Sequence, residues 1–506
     1  MSTNALPAAM RDDRAFPDGP ADPVESAPTP LPPRRFGGVI PEHETPKMLR
    51  TAVLRLAWPS IVENLLQSLV QIATTAMVSR LGANALAGVG VGNQLMMVGI
   101  STFFAVSTAT TVLVAYNIGA GNPREAGQAA KQSYFIGGVL SVIVAALGFL
   151  FSAPLIRLLG AEPAVVVEGA KFLRIEALGT IFLVTMFISS GIMRGSGDTR
   201  TPMLVTLSIN FINIGVSLPL IFGLGPLPHL GVVGAACGNI VARLVGAVVL
   251  TSIVWRGRRG LSIAGRQGWR PRWTAIKRLV DIGLPSMMES LFRSGGMTIF
   301  AVVIVSLGTT AYAAQQVANI FWQMTLFPGF GFSTAALTLT GQSLGARLPE
   351  RAALATWVAT RACTIWMATM GVVYFFLGPW LVIPFSAGDP AIRSIAAHAL
   401  KVLAFSMPIQ ATGLVLAGSL RGAGDTRWPM FSTGASMWLV RIPAAYLFGV
   451  VLSLGIPGAY LGLIIDSAVT SGLNLWRYRS GRWQTARSLS ASPAHSPLLV
   501  GNGEGE

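Results

Sequence analysis

"RGSGDTR" occupies residues 194–200 and "RGAGDTR" residues 421–427, with only Ser196 exchanged for Ala423. A phrase written twice in one chain predicts two copies of one structural unit. The flanking sequence agrees. Shifted by 226 positions, "LAWPSIVENL" (56–65) falls on "IGLPSMMESL" (282–291), aligning Pro59 with Pro285 and Glu63 with Glu289. The same shift aligns Leu81-Gly82 with Leu307-Gly308, Asn93 with Asn319, Gly119 with Gly345 and Pro123 with Pro349. One inserted residue later the shift becomes 227, which carries the first phrase onto the second.

Composition says what kind of unit is repeated. The 506 residues are 52% apolar and only 11% charged, with a mean hydropathy of +0.59. Soluble proteins carry about a quarter charged residues. Apolar runs near the ~20 residues needed to cross a bilayer recur along the chain, threaded with the small residues that suit helix packing in lipid. The expected fold is an all-α polytopic membrane protein, with twelve transmembrane helices in two pseudo-symmetric six-helix bundles. The first half's spans read as 53–79, 86–114, 132–153, 169–193, 202–223 and 231–255. The second half's read as 279–306, 312–342, 355–377, 394–420, 428–452 and 457–476. An even number per copy gives both copies one orientation about an axis along the membrane normal, with a cleft between them at mid-membrane.

Around the spans, residues 1–45 ("DDRAFPDGPADPVESAPTPLPP") read as a disordered tail without the pattern of a signal peptide. An N-terminal bundle follows at 50–255, a basic linker at 256–278, a C-terminal bundle at 279–477 and a basic, then disordered, tail at 478–506. The net charge of +16 is not spread evenly. Eight basic residues lie in "WRGRRGLSIAGRQGWRPRWTAIKR" (255–278) and four in "RYRSGRWQTAR" (477–487). With both termini inside, inner loops and flanks hold 24 Lys or Arg between 41 and 487, against six outside: Arg80, Arg157, Lys171, Arg174, Arg393 and Lys401. This positive-inside bias predicts cytoplasmic termini in an inner membrane and argues against a nucleic-acid partner. Cys237 and Cys363 lie in apolar runs without disulfide or metal spacing and read as packing residues.

Twelve spans in two halves, the L-x-x-P entry to the first span, "SRLGANALAGVG" after it, and "MRGSGDTRTPM" (193–203) with "LRGAGDTRWPM" (420–430) resemble the multidrug and toxic compound extrusion (MATE) family of prokaryotes. The resemblance covers roughly residues 50–480. It implies a secondary antiporter that expels organic, often cationic, compounds in exchange for protons or sodium ions. The chain also departs from the family. Many members carry an Asp late in the first helix, where Thr74 stands, and another in the fifth helix, where Ser217 stands. Some carry a Glu eight residues after the proline of the seventh helix, where Arg293 stands.

An ionisable residue within a span costs at least ~2.5 kcal/mol at the helix centre unless paired or wet, so each is a functional candidate. The acids are Glu63, Glu176, Glu289 and Asp466; the bases are Arg243, Arg293 and Arg441. Glu63 shares a helix face with Pro59 and Gln67, and no base lies one turn away along the chain. It is the first choice for exchanging an ion, the alternative being a glutamate hydrogen-bonded for packing. Glu289, its repeat mate, has Arg293 one turn on and is expected to be structural. Asp466 aligns with Asn239, and Arg441 is its expected partner, in either a buried salt bridge or a coupling pair. Glu176 is expected to pair near the outer surface with Lys171 or Arg174. His43, His229 and His398 are expected to be solvated.

The repeated phrase admits two readings. Its glycines permit a sharp reversal, Asp198 and Asp425 precede helices, and Pro202 and Pro429 fit a first turn, all consistent with a capped turn. Arg194, Arg200, Arg421 and Arg427 can then pair with those aspartates or with lipid phosphate. The second reading is an intracellular gate latch. For the substrate cavity the candidates are Asn93, Gln94 and Met97, with Asn319, Trp322 and Gln323 in the matching helix of the second half. Such Met- and aromatic-rich surfaces adapt to varied apolar ligands, although they also occur as plain lipid-facing surface. The scarcity of acids in the spans weakens the case for a strongly cationic substrate.

No HExxH, carboxylate-rich metal motif or phosphate loop is present in the sequence. A transporter is therefore expected rather than an enzyme, with no catalytic residue, cofactor or metal, and with a small organic substrate, H+ or Na+ and the lipid bilayer as partners of a monomer. The alternative is a lipid-linked flippase of the same wider superfamily, which several unpaired cavity arginines would favour; Arg243 is the one loose candidate.

Overall fold

The computed structural model describes residues 46–223, 228–257, 261–386 and 388–485, and all the regular elements among them are helices. The tail expected at 1–45, with His43, and the chain after 485 lie outside these residues. Among the described residues, ten helices are long and apolar enough to cross a membrane. They are the first (Pro46–Ser79), second (Ala83–Gly119), third (Pro123–Leu150), fifth (Arg200–Phe222) and sixth (Val232–Arg256) spans of one half. In the other half they are the seventh (Trp273–Val305), ninth (Pro349–Leu381), tenth (Pro390–Gly422), eleventh (Arg427–Val451) and twelfth (Gly455–Arg479).

The remaining two spans each depart from a straight apolar rod. The fourth is a pair of helices, Pro163–Leu178 and Thr180–Gly195, bent by 50° at Gly179. A side chain at 179 would run into Ile240, so the break sits where only hydrogen fits. The eighth, Thr309–Gly345, is as long as its repeat mate, the second span, but Gln315, Gln316, Asn319, Gln323 and Gln342 dilute its apolar character. Much of it is covered by protein. The result is the expected all-α, twelve-span layout.

The eleventh span contains two π-helical turns, Met437–Arg441 and Leu447–Val451. Pro443 brings no N–H to this helix, and a widened turn redistributes the carbonyls left unpaired. The sequence gives no hint of the second one.

The halves are joined by a reciprocal exchange. Leu56 and Ala57 of the first span lie in one core cluster with Phe332 and Ala335 of the eighth. At the matching positions, Leu279 and Ile282 of the seventh span join Ala109 and Leu113 of the second. The twofold repeat is thus visible in the packing.

Two polar segments outside the expected spans are ordered. The third span starts at Pro123, nine residues earlier than read, with Pro123 in its first turn followed by Glu125. Its polar beginning is used to hold the basic linker: Lys131 Nζ donates to the carbonyls of Ala264, Gly265 and Gln267, and Gln132 Nε2 to those of Gly268 and Arg270. At the other terminus, Trp483 is buried and stacks on Tyr478 at 4.8 Å.

Candidate functional site

The repeated phrase begins inside a helix. Arg194 and Arg421 sit in the last turns of the fourth and tenth spans, where a cation complements the helix dipole. Both helices approach a neighbour closely just there. Gly195 lies against the Thr111 carbonyl, and Gly422 against that of Leu337, so closely that a methyl group would collide with backbone. The chain then reverses through Gly197 (φ 84°) and Gly424 (φ 81°), a conformation that favours glycine.

This placement aims both arginines inward. Arg194 Nη1 donates to Glu63 at 3.2 and 3.4 Å, while its Nη2 reaches Ser107 Oγ at 3.3 Å. Arg421 takes Glu289 with a two-pronged grip, Nη2 to Oε1 at 2.8 Å and Nε to Oε2 at 3.1 Å. Both glutamates are buried. The expectation that Glu63 lacks a cation is therefore corrected: its partner comes from a helix 131 residues away rather than from its own. Gln67 is exposed and takes no part. Glu289 is correctly read as paired, but its principal partner is Arg421; Arg293 stands off at 3.9 Å, and Thr433 Oγ1 donates at 3.5 Å.

The aspartates of the phrase are engaged separately. Asp198 accepts from the Thr201 backbone N–H at 3.2 Å and its hydroxyl at 2.8 Å, a cap of the fifth span. Asp425 instead accepts from Arg477 at 2.7 Å. Arg200 and Arg427 are exposed. The first phrase is also gripped by the opposite half: Thr338 Oγ1 donates to the Arg194 carbonyl at 3.3 Å and Gln342 Nε2 to that of Gly195 at 2.9 Å.

Two further buried pairs occupy non-equivalent helices. Arg441 donates to Asp466 through Nε, at 3.0 Å, and Nη2, as read from the sequence. In the first half, Glu176 is not an interfacial acid. It is buried, bonded to Asn239 Nδ2 and held by Arg243 at 2.5 Å. Lys171 pairs with Glu168 and Arg174 with Ser152. The sequence offered a signal for this pair, since Glu176 and Arg243 are both ionisable residues in spans, but not their proximity. Asn239 also accepts from Asn213 at 2.7 Å.

A family model described as MatE matches residues 59–218 and 285–447, once on each half. A probable multidrug resistance protein, NorM of Thermotoga maritima, is 32% identical over 460 residues, covering 90% of this chain and 97% of that protein. This chain belongs to the MatE family. The multidrug resistance protein PmpM of Pseudomonas aeruginosa is 25% identical over 421 residues, 82% of this chain and 87% of its own. The MatE fold extends to solved structures. A MATE protein in complex with MaL6 matches with a TM-score of 0.81 at 23% identity, over 86% of this chain and 97% of that one. An outward-facing MATE transporter matches at 0.80 and 24%, with the same coverage. Membership makes the chain a MATE transporter in a membrane.

Within this MatE chain, Thr74 and Ser217 are buried, and the Ser217 hydroxyl and Asn213 Oδ1 have no hydrogen-bond partner among the described residues. The proposed cavity residues are less concentrated. Gln94, Met97 and Gln323 are exposed, while Asn93, Asn319 and Trp322 are half-buried. Trp322 Nε1 donates to Gln410 at 3.2 Å and Asn319 to Gln316 at 3.3 Å. No hydrogen bond among the described residues joins the second-span group to the eighth-span group. Of the other single residues, Cys363 is buried and Cys237 half-buried, both as free thiols, and His229 and His398 are exposed as expected.

Proposed function

We propose that this MatE chain is a secondary antiporter of the plasma membrane, with both termini cytoplasmic, that exports organic compounds in exchange for protons, sodium being the alternative ion. The multidrug resistance names of its relatives support the substrate class. Glu63 is the ion-exchanging group in this reading. The observation that carries it is that the Glu63–Arg194 pair joins a buried carboxylate to the segment the opposite half grips.

The chemistry runs through this chain's own atoms. Ionised, Glu63 accepts from Arg194 Nη1 and holds the last turn of the fourth span in place. A proton on the carboxylate removes its charge and leaves Arg194 with Ser107 as its remaining partner here. The same turn presents the Arg194 and Gly195 carbonyls to Thr338 and Gln342, so the proton is coupled to the contact between halves. A ligand that prefers one arrangement of the halves then shifts the proton affinity of Glu63, and the proton shifts ligand affinity in return. Glu289, held by Arg421 through two nitrogens, stays ionised and structural. Asp466, already bound to Arg441, is second in line as the ion-exchanging group.

The lipid-linked flippase reading loses its one candidate from the sequence, because Arg243 is held by Glu176. The test is gradient-driven efflux from liposomes of a dye-like cation and an aromatic zwitterion, in wild type and Glu63→Gln. Loss of proton-driven transport in a folded variant that still binds its substrate is the expected result. Unchanged transport moves the exchange to Asp466. No transport by wild type under either a proton or a sodium gradient sinks the antiporter reading.

A further inference from the structure

The buried charges of the two halves do not balance in the same way. In the first half Glu63 faces Arg194 and Glu176 faces Arg243. In the second half Glu289 faces Arg421 and Asp466 faces Arg441, and Arg293 is left over. The one carboxylate it meets among the described residues is Glu289, at 3.9 Å, whose same oxygen already accepts from Arg421 at 2.8 Å. Its other charged neighbours, Arg421 and Arg441, are guanidiniums as well. The mid-membrane interior of the second half thus carries one positive charge without an acid of its own.

Arg293 does not resolve this by turning to lipid. It sits on the face of the seventh span shared by Ile282, Ser286, Glu289 and Phe300, all buried. Leu284 and Val302, on the opposite face, are 50% and 63% exposed. Yet the Arg293 side chain is itself 37% accessible. The opening it reaches therefore lies on the inward side of its helix. Met297, one turn on, touches Arg441 there. A guanidinium fork with a thioether one turn on suits a planar anion attached to an apolar ring.

We infer that Arg293 is a binding site for the anionic group of the exported molecule, so that the chain takes aromatic compounds bearing a carboxylate or sulfonate, alone or as zwitterions. This rests on the export reading above. The acid completes the charge pairing that the protein leaves open, and the ring lies against Met297. A neutral analogue of the same shape forgoes the charged contact and binds more weakly.

The test needs neither gradient nor transport, so its failure is separate from failure of the antiporter reading. Purified chain in nanodiscs of zwitterionic lipid is titrated with coumarin-3-carboxylate and with its methyl ester, followed by fluorescence anisotropy. The wild type should favour the acid. Arg293→Gln should weaken the acid on the order of tenfold and leave the ester within about twofold, with Arg293→Lys recovering part of the loss. Equal weakening of acid and ester, an unchanged acid affinity in Arg293→Gln, or a wild type without preference for the acid would overturn the inference. Repeating the titration with phosphatidylglycerol present separates the other source of an anion. Unchanged affinity is expected, whereas a loss confined to the arginine-bearing protein assigns the site to a lipid headgroup instead.

Discussion

The two halves use one phrase to do the same job with different firmness. Each places an arginine from the end of its fourth helix on the glutamate of its first. In the second half that arginine offers two nitrogens at 2.8 and 3.1 Å, and Arg293 stands behind it. In the first half one nitrogen reaches Glu63 at 3.2 Å, and Gln67 occupies the place of Arg293. Duplication supplied a common scaffold, and a few substitutions at matching positions left one carboxylate gripped more firmly than the other. The phrase itself is asymmetric in its surroundings, because Thr338 and Gln342 of the second half clasp the first copy.

The largest effect should come from breaking the firm side. Glu289→Ala strands Arg421 and Arg293 in the bundle and should cost about 3–5 kcal/mol in unfolding measurements, whereas Glu63→Gln, which keeps shape and hydrogen bonding, should cost about 1–2 kcal/mol. Equal losses would erase the asymmetry. Next, Asp466→Leu alone should cost about 3 kcal/mol, and adding Arg441→Met should return stability to within about 1 kcal/mol of wild type if that pair is structural. Persistent loss of transport in the stable double variant would give the pair a role in coupling.

A symmetric perturbation comes third. Gly195→Val and Gly422→Val should each destabilise by about 1–3 kcal/mol, since both positions abut backbone. The smallest effect should distinguish the two copies of the phrase. Gln342→Ala removes a contact worth about 1 kcal/mol and should speed amide hydrogen exchange in 194–200 while leaving 421–427 as it was. Equal changes in both segments would show that the clasp is not specific to the first copy.

Much of this was legible from sequence because duplication and hydropathy are linear signals. The twelve spans follow from them, and so do Glu63, Glu289 and the Asp466–Arg441 pair. The Arg194–Glu63 contact was not, because helical spacing reveals partners only one turn away and these residues are brought together by packing of separate helices. The same reason hid Glu176–Arg243: Lys171 and Arg174 were neighbours in sequence, but the helix turns Glu176 to the interior. The break at Gly179 and the π-helical turns leave no mark in the sequence, since neither alters the run of apolar residues.

The division of labour between the glutamates is tested most directly by counting protons. Purified protein in weakly buffered detergent is mixed with a saturating transported dye, and the pH change is recorded. Wild type should release roughly one proton per chain on binding, since ligand and proton favour different states of Glu63. Glu63→Gln should bind the dye and release none. Release persisting undiminished in Glu63→Gln would contradict the assignment and place the exchangeable proton elsewhere.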